Sequence, residues 1–477
     1  MSSIASTRRS GACTLALSLA FSLAAAVPAA LAPSTAEAQS KSQPSTAPAQ
    51  ARSMKIQEIK SPGGITAWLV ESHNVPLMAL RYSFEGGNAQ DPAGKEGLAN
   101  FLTAMMDEGA GDLDATQFQE RMEEIAMRMS FEDGRDHLFG NFETLTVNRD
   151  KAVELFRLAL NQPRFEAAAV GRIKNQLAAN LAFSARDPNK VASKAWSAKA
   201  FPNHPYGRPA EGTAESVAAI SGADLKDFHT RIFAKSTLKV VAVGDIDAKT
   251  LGALLDKVFG GLPAKAQLTP VPDLTIKAGG SLDVIEMPVP QSVAIFGAAA
   301  MLRKDPDFIA AFVVNQILGG GGFASRLMEE VREKRGLAYS VYSYLSPMAH
   351  SGVFGGGTAT KNEEMRKSLD VIKAELKRMA DNGPTQTELD NSRSYLTGSY
   401  ALRFDTNAKI AAQLLGILVE DLGIDYVDKR NAQIQAVTLA DAKRVAARML
   451  KVDDMIITIV GKPDNMPVAP AKAAPRG

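Results

Sequence analysis

The chain has 477 residues, more than one hydrophobic core usually organises, so its length predicts two or more domains. Hydrophobic residues make up 45% and charged residues 22%, as in ordinary globular proteins. The formal net charge of +2 and the lack of a basic stripe with interleaved aromatic residues exclude nucleic acid as an expected partner.

Residues 1–38 have the pattern of a secretory signal peptide. Arg8 and Arg9 precede the apolar run TLALSLAFSLAAAV, and a small-residue cleavage site, AEA, ends at Ala38. The run is short for a spanning helix and no later run is long enough, so we expect an exported, periplasmic protein without stable membrane insertion. Cys13, the only cysteine, lies in this segment, so no disulfide is expected in the mature chain.

The stretch GLANFLTAMMDEG, from Gly97 to Gly109, has the periodicity of a short amphipathic helix. The positions of its apolar stripe are Leu98, Phe101, Leu102, Met105 and Met106. Four positions lie off the stripe, and any chemistry of this helix would belong to them. They are Asn100, Thr103, Ala104 and Asp107.

A repeat indicates that the chain contains two copies of one domain. Asp224 and Asp441 each open a helix, Gly244 and Gly461 each close a strand, and both pairs are 217 residues apart (441 − 224 and 461 − 244). Hairpin strands followed by helices predict an α+β fold. We expect each copy to be an antiparallel sheet with helices packed on one face.

Composition also predicts the domain boundaries. We expect a flexible leader at 39–53 and a disordered tail at 467–477, because both are proline-bearing and aperiodic. Between them we expect an N-terminal domain at 54–266, a linker rich in Pro and Gly at 267–279, and a C-terminal domain at 280–466.

Two longer motifs carry a family resemblance. With FPNHPYGRPAEGTAESV in the first copy and LGGGGFASRLMEEVREKRGLAYSVYS in the second, the sequence resembles the insulinase or pitrilysin family of zinc peptidases, and within it the processing-peptidase-like branch. The resemblance implies an inverted zinc motif, His-x-x-Glu-His, on the helix from Gly97 to Gly109. Asn100 and Ala104 stand where that motif has its histidines, and Thr103 stands where it has the glutamate base.

The distal glutamate ligand that the family implies is missing as well. The segment 167–210 contains no glutamate, and Asn180 lies near the matching position. Asn and Thr bind zinc poorly, so we expect no metal and no other cofactor in this chain, with zinc held by a partner subunit.

No other sequence feature predicts a metal centre or a different mechanism. None of the five histidines forms a local ligand pair, and no Gly-x-Ser-x-Gly elbow or nucleophilic cysteine is present. The acidic cluster FEDGRDH, from Phe131 to His137, is interpreted as solvated charges at a hairpin turn. In HPYGR, His204 and Tyr206 are expected to order a loop rather than to act in catalysis.

The second copy keeps an arginine and a tyrosine at a helix-to-strand corner. SRLMEEVREKRG is helical by pattern, with Leu327, Met328 and Val331 toward the core and a stop at Gly336. In LAYSVYSYL, alternation places Tyr339, Val341 and Ser343 on one side.

Arg332 and Tyr339 can therefore converge. The resemblance implies that they complete a zinc site from the second domain, the guanidinium binding a substrate carbonyl and the phenol stabilising an oxyanion. Alternatively, Arg332 caps its own helix and Tyr339 is half-buried.

A glycine run precedes that helix, at Gly319, Gly320, Gly321 and Gly322. It is compatible with close approach of a substrate backbone, with an anion at the start of the next helix, or with a flexible connector. The lysine of a phosphate loop is missing, which disfavours a nucleotide.

These features together predict a non-catalytic, substrate-binding subunit of a heterodimeric zinc peptidase. Its expected partners are a homologous zinc-bearing subunit and unfolded peptides, and it would supply Arg332 and Tyr339 to the partner's zinc site. An alternative is a non-enzymatic structural or peptide-holding protein of the same fold. A minor alternative is a stand-alone zinc peptidase with atypical ligands.

Overall fold

The fold is built from two sheets that repeat one plan. The structure, a computed structural model, describes residues 54–466. The expected signal peptide, leader and tail, together with Cys13, lie outside these residues. No helix within 54–466 has the length and apolarity needed to cross a bilayer.

The first half of the chain, residues 57–259, forms a six-stranded sheet in the order β1-β2-β6-β3-β5-β4. Its strands are β1 (Gln57–Lys60), β2 (Thr66–Glu71), β3 (Leu77–Glu85), β4 (Arg128–Asp133), β5 (His137–Leu145) and β6 (Lys239–Gly244). Its helices are α1 (Leu98–Met105), α2 (Ala115–Glu124), α3 (Arg149–Asn161), α4 (Ala167–Ser184), α5 (Pro188–Ala200), α6 (Ala214–Ala219), α7 (Gly222–Ile232) and α8 (Ala248–Phe259).

The second half, residues 281–461, forms a five-stranded sheet in the order β7-β11-β8-β10-β9. Its strands are β7 (Ser281–Glu286), β8 (Gln291–Ala299), β9 (Ser340–Pro347), β10 (Gly352–Lys361) and β11 (Ile456–Gly461). Its helices are α9 (Phe308–Asn315), α10 (Met365–Asn382), α11 (Gln386–Gly398), α12 (Asn407–Val419), α13 (Tyr426–Gln435) and α14 (Leu439–Met449). The expected linker lies between α8 and β7, where residues 260–280 form no helix or strand.

Five strands of the first sheet, β2-β6-β3-β5-β4, correspond in order to the five of the second, which confirms the predicted α+β fold of two homologous domains. Helices α7 and α14 begin with the same capping box, Ser221 with Asp224 and Thr438 with Asp441. In each half the strand after that helix, β6 or β11, runs antiparallel to one neighbour and parallel to the other. The sheets are antiparallel as predicted, except for one parallel strand pair in each half.

Each half packs its own core helices on one face of its sheet, as predicted, and the opposite face is covered by a helix from the other half. On the face opposite each half's own core, the two halves exchange one helix. Helix α5 of the first half packs on β8 and β11 of the second sheet, where the Trp196 indole donates a hydrogen bond to the Ile456 carbonyl, 3.0 Å. Helix α12 of the second half packs on the first sheet, with Leu414 against Trp68 and Val241.

The motif helix α1 is placed by its apolar stripe. All five predicted stripe residues are buried in the core of the first half, as predicted. The helix begins after Gly97, whose φ of 92° lies in the left-handed region, and it ends at Met105. Asp107 therefore lies in the turn beyond α1. The sequence pattern placed it on the helix, and at this position the prediction was wrong.

Candidate functional site

The off-stripe residues of α1 are occupied by hydrogen bonds within the protein. The Asn100 amide donates to one oxygen of Asp133, 2.9 Å, and the Asn88 amide donates to the other oxygen, 3.1 Å. Asp133 ends strand β4, so a carboxylate and two amides form a closed network at this position. A signal for this network was present in FEDGRDH, but Asp133 was interpreted as a solvated charge, which was wrong.

These residues do not fit a catalytic zinc ion. The Thr103 hydroxyl donates to the Asn100 carbonyl, 2.9 Å, and Ala104 offers only a methyl group against the core. Asn100 could offer only its amide oxygen, a poor zinc ligand, and its amide nitrogen is hydrogen-bonded to Asp133. Asn180, on helix α4, is exposed to solvent. Since zinc needs three nitrogen, sulfur or carboxylate donors, the motif helix cannot hold it.

Four of the five histidines contact separate hydrogen-bond partners. His204 is buried and its Nε2 lies 2.8 Å from the Pro272 carbonyl, so it orders the loop. The Tyr206 hydroxyl donates to Asp136, 2.6 Å, and accepts from the backbone N–H of His350, 3.1 Å. Within residues 54–466, no group of three His, Cys, Asp or Glu side chains is placed to hold a metal ion.

The retained motif of the second half folds as an unusual turn. Residues Met328–Glu333 form a π-helix instead of the expected α-helix, with Leu327, Met328 and Val331 buried as predicted. The turn ends where the Gly336 N–H donates to the Arg332 carbonyl, 2.8 Å, and the Leu337 N–H donates to the Val331 carbonyl, 2.9 Å. Single π-helical turns are frequent at functional sites.

Arg332 and Tyr339 meet at this corner. The Arg332 guanidinium lies 4.8 Å from the centre of the Tyr339 ring, and its Nη1 donates to the Tyr339 carbonyl, 3.2 Å. Strand β9 begins only at Ser340, so the Tyr339 side chain leaves the side shared by the buried Val341 and Ser343. Alternation predicted all three on one side, and for Tyr339 that was wrong because it precedes the strand.

A third side chain, Phe323, completes this group and was missed from the sequence. Its ring centre lies 4.7 Å from the Arg332 guanidinium, and the residue is 68% exposed. Tyr339 is 80% exposed. An aromatic residue directly after a glycine run was the available signal. A partly exposed cation within 5 Å of two exposed rings is an arrangement expected of a contact surface.

The glycine run joins two irregular turns beside the group. Gln316–Gly320 is π-helical and Gly322–Ala324 is a 3-10 turn. A Cβ atom on Gly319 would lie 2.5 Å from the Ser343 hydroxyl, so this glycine allows the run to pack against β9. Gly322 has φ of 59° with open space around it. One end of the run is therefore packed and the other end faces solvent.

Strand β9, beside this group, is the open edge of the second sheet. Among the strands of residues 54–466 it pairs with β10 alone, and its outer face carries the exposed Tyr342 and Tyr344 with ring centres 6.2 Å apart. The two rings lie over Gly357 and Gly355 of β10, where Cβ atoms would lie 2.8 and 2.7 Å from the tyrosine atoms. The face is therefore aromatic, flat and accessible.

Family models match most of the described chain. Residues 68–214 match the model described as Insulinase (Peptidase family M16), and residues 219–396 match the Peptidase M16 inactive domain. A solved M16 inactive domain from Pseudomonas fluorescens is 31% identical, with a TM-score of 0.81, and the match covers 87% of this chain and 99% of that one. The chain belongs to peptidase family M16.

The M16 relatives include a protein named as a non-peptidase homolog and proteins named as zinc proteases. The non-peptidase homolog YmxG of Helicobacter pylori is 28% identical over 86% of this chain and 95% of its own length. An uncharacterized zinc protease of Streptomyces coelicolor is 26% identical over 76% of this chain and 80% of its own length. With Asn100, Thr103 and Ala104 at the motif positions, this chain is an inactive M16-like protein.

A more distant structure shares the M16 fold alone. A chain of Complex III2 from Candida albicans is 14% identical, with a TM-score of 0.70, and the match covers 86% of this chain and 96% of that one.

Proposed function

We propose that this M16 homologue is the non-catalytic, substrate-binding subunit of a heterodimeric zinc peptidase. The observation that carries the proposal is the contrast between two positions. The motif helix α1 presents no zinc ligand, whereas the partly exposed Arg332 guanidinium lies against the exposed rings of Phe323 and Tyr339. A group of this kind has no use within the chain itself, because its own hydrolytic centre is lost.

The chemistry of the group suits a bound peptide. Arg332 donates one hydrogen bond to the Tyr339 carbonyl and pairs with Glu333 at 3.4 Å, which leaves further N–H groups for a substrate carbonyl. The Tyr339 hydroxyl is exposed and makes no hydrogen bond within residues 54–466. It is therefore available to stabilise an oxyanion that develops at a zinc site of the partner.

The neighbouring edge strand supports an extended, unfolded peptide as the substrate. The unpaired backbone groups of β9 can accept one more strand, and Tyr342 and Tyr344 can pack against its apolar side chains. The glycine run from Gly319 to Gly322 would border this peptide. We further propose that the pair works in the periplasm, an expectation that rests on the N-terminal sequence alone.

The test compares peptide cleavage by the chain, by its zinc-bearing M16 partner from the native source, and by the pair. Arg332→Ala with Tyr339→Phe should lower kcat/KM of the pair about ten- to hundredfold, the range for loss of oxyanion stabilisation. Arg121→Ala and Tyr395→Phe, on the exposed surfaces of α2 and α11, are matched controls that should leave kcat/KM unchanged. Full cleavage by the partner alone, or an unaffected double variant, would overturn the proposal.

A second candidate is a peptide-holding protein without an enzymatic partner. The open aromatic face of β9 favours it, since that face can bind a peptide with no hydrolytic centre nearby. Peptide binding by the chain alone, with no zinc-bearing M16 chain in complexes isolated from the native source, would support it. A stand-alone zinc peptidase with atypical ligands requires stoichiometric zinc in the isolated chain, which metal analysis measures.

A further inference from the structure

A cavity of about 550 Å³ lies in the second half, between α9, the inner side of β9, and the helices α12 and α13. Three arginines line it, Arg303, Arg403 and Arg430, together with the aromatic residues Phe308, Phe312, Tyr344, Tyr400 and Tyr426. We call this cavity the arginine pocket. Its volume is that of an ordinary small-ligand site.

Arg430 is the least expected residue of the arginine pocket. It is only 6% exposed, and within residues 54–466 no carboxylate forms an ion pair with it. One nitrogen, Nη1, donates to the Leu396 carbonyl, 3.2 Å, and to the Asn431 side-chain oxygen, 3.1 Å. Arginine is rarely buried without a partner, because a desolvated charge is costly unless it is compensated.

The other two arginines add to this unbalanced charge. Burial lowers the pKa of Arg430, and Arg403 and Arg303 lower it further because they are like charges nearby. Neither Arg303 nor Arg403 forms an ion pair within the described part of the chain. Glu420 is the one carboxylate among the lining residues, and burial raises its pKa. The pocket therefore carries a net positive charge.

Aromatic rings hold two of the guanidiniums in fixed positions. Arg430 lies 4.0 Å from the ring centre of Tyr400 and 5.9 Å from that of Phe312. Arg303 lies 4.5 Å from the ring centre of Phe308 and donates to the Tyr426 hydroxyl, 2.7 Å. These contacts orient the cations without neutralising them, so a ligand would find its partners already in place.

We propose that the arginine pocket binds a carboxylate attached to an aromatic or other apolar group. Guanidinium groups match the planar, bidentate geometry of a carboxylate, and the aromatic lining suits an apolar body. A free organic acid and the C-terminal residue of a peptide share this chemistry. Arg332 and Tyr339 are not among its lining residues, although Gly320 and Tyr344 border both this pocket and the proposed peptide surface. Its occupancy requires neither a partner nor a zinc ion.

Calorimetric titration of the full chain with three probes tests the site and identifies the source of the ligand. The probes are phenylacetate, a pentapeptide that ends in phenylalanine with a free carboxylate, and the same pentapeptide as its C-terminal amide. We expect the free-carboxylate peptide to bind at least tenfold more tightly than the amide. Binding of phenylacetate as well would indicate a free organic acid. Equal binding of acid and amide, or no binding of either carboxylate, would overturn the proposal.

Variants locate the binding within the molecule. Arg303→Met and Arg403→Met should each weaken carboxylate binding about tenfold, as expected for the loss of one charged hydrogen-bond donor. Both residues are less buried than Arg430, so these variants keep the test valid if Arg430→Met does not fold. Arg121→Met, on α2 in the first half, is the matched control. Unchanged affinity in both pocket variants would refute the assignment.

Discussion

The two sheets differ most on the parts of their outer faces that the exchanged helices leave uncovered. In the first sheet, Arg81 pairs with Glu143, and the Asn141 amide donates to Ser130, 2.9 Å, and to Glu132, 3.1 Å. The register places Ile295, Gly357 and Tyr342 of the second sheet at the positions that Arg81, Asn141 and Ser130 hold in the first. A satisfied polar network has thus been replaced by glycines and tyrosines.

This difference teaches how one fold is suited to two roles. Charged and hydrogen-bonded side chains discourage another strand from adding at an edge, and they protect β4 in this way. The aromatic and glycine face beside β9 has no such protection and remains available for contact. The half that has lost the zinc motif is therefore closed by polar groups, and the other half carries the accessible surface.

The largest expected effect tests whether the halves depend on each other. Trp196→Ala removes a buried indole that packs across the two halves and donates to Ile456, so the free energy of unfolding should fall by about 3–5 kcal/mol. Phe183→Ala, at an exposed position of α4, is the control and should have little effect. Urea unfolding measures both. A small loss for Trp196→Ala would mean that the exchanged helix α5 contributes little.

Acidification should distinguish the two halves. Burial lowers the pKa of His229 in α7 to about 4, whereas Ala446 holds the same place in α14. The unfolded chain binds this proton near pH 6.5, so the stability from neutral His229 is complete above pH 6.5 and lost as the pH falls toward 4. The loss is up to about 3 kcal/mol, since one pKa unit corresponds to about 1.4 kcal/mol.

Hydrogen exchange measured at several pH values tests this. Protection of α7 should fall between pH 6.5 and pH 4, and protection of α14 should fall less. His229→Gln, which keeps a donor toward the Leu160 carbonyl, should reduce the pH dependence of α7. If protection of α7 falls equally in His229→Gln, another titrating group controls its pH dependence.

The polar network of the first sheet should be sensitive to removal of one partner. Arg81→Met leaves Glu143 without its cation on a half-buried face, so the free energy of unfolding should fall by about 2 kcal/mol. Arg81→Met with Glu143→Leu should recover most of this loss, because neither charge remains. Thermal unfolding measures both variants. No recovery in the double variant would mean that Arg81 stabilises mainly through packing.

The smallest expected effect concerns the aromatic face. A methyl group at Gly357 would lie 2.8 Å from the Tyr342 hydroxyl, so Gly357→Ala should displace that ring and cost about 1 kcal/mol. It should also weaken peptide binding to β9. Gly171→Ala on helix α4, where nothing lies within 4 Å, is the control and should not destabilise. Unchanged peptide binding in Gly357→Ala would remove the aromatic face from the proposed substrate site.

The duplication was predictable because local signals are repeated at a constant spacing. Capping boxes at Ser221 and Thr438 and strand-ending glycines at Gly244 and Gly461 depend on neighbouring residues only. The exchange of α5 and α12 was not predictable in this way. The apolar residues Ala192 and Trp196 show that α5 has a buried face, but periodicity does not indicate which sheet covers it.

The site was predictable to a similar extent. The loss of zinc ligands at Asn100, Thr103 and Ala104 follows from residue chemistry. The convergence of Arg332 and Tyr339 was predicted from their spacing. The contacts of Phe323 with Arg332 and of Asn100 with Asp133 join residues whose separation in the sequence has no regular period. They depend on tertiary packing, which a single sequence does not reveal.

The exchanged helices affect how the chain folds after synthesis. Helix α5 is synthesised long before β11, the strand whose apolar surface it covers. Trp68 and Val241 likewise stay uncovered until α12 has been synthesised. Cutting the chain at the linker would expose apolar surface on both halves. Each separated half should therefore aggregate or bind the other half again. The smallest part of the chain expected to fold without aggregating is therefore the pair of domains together.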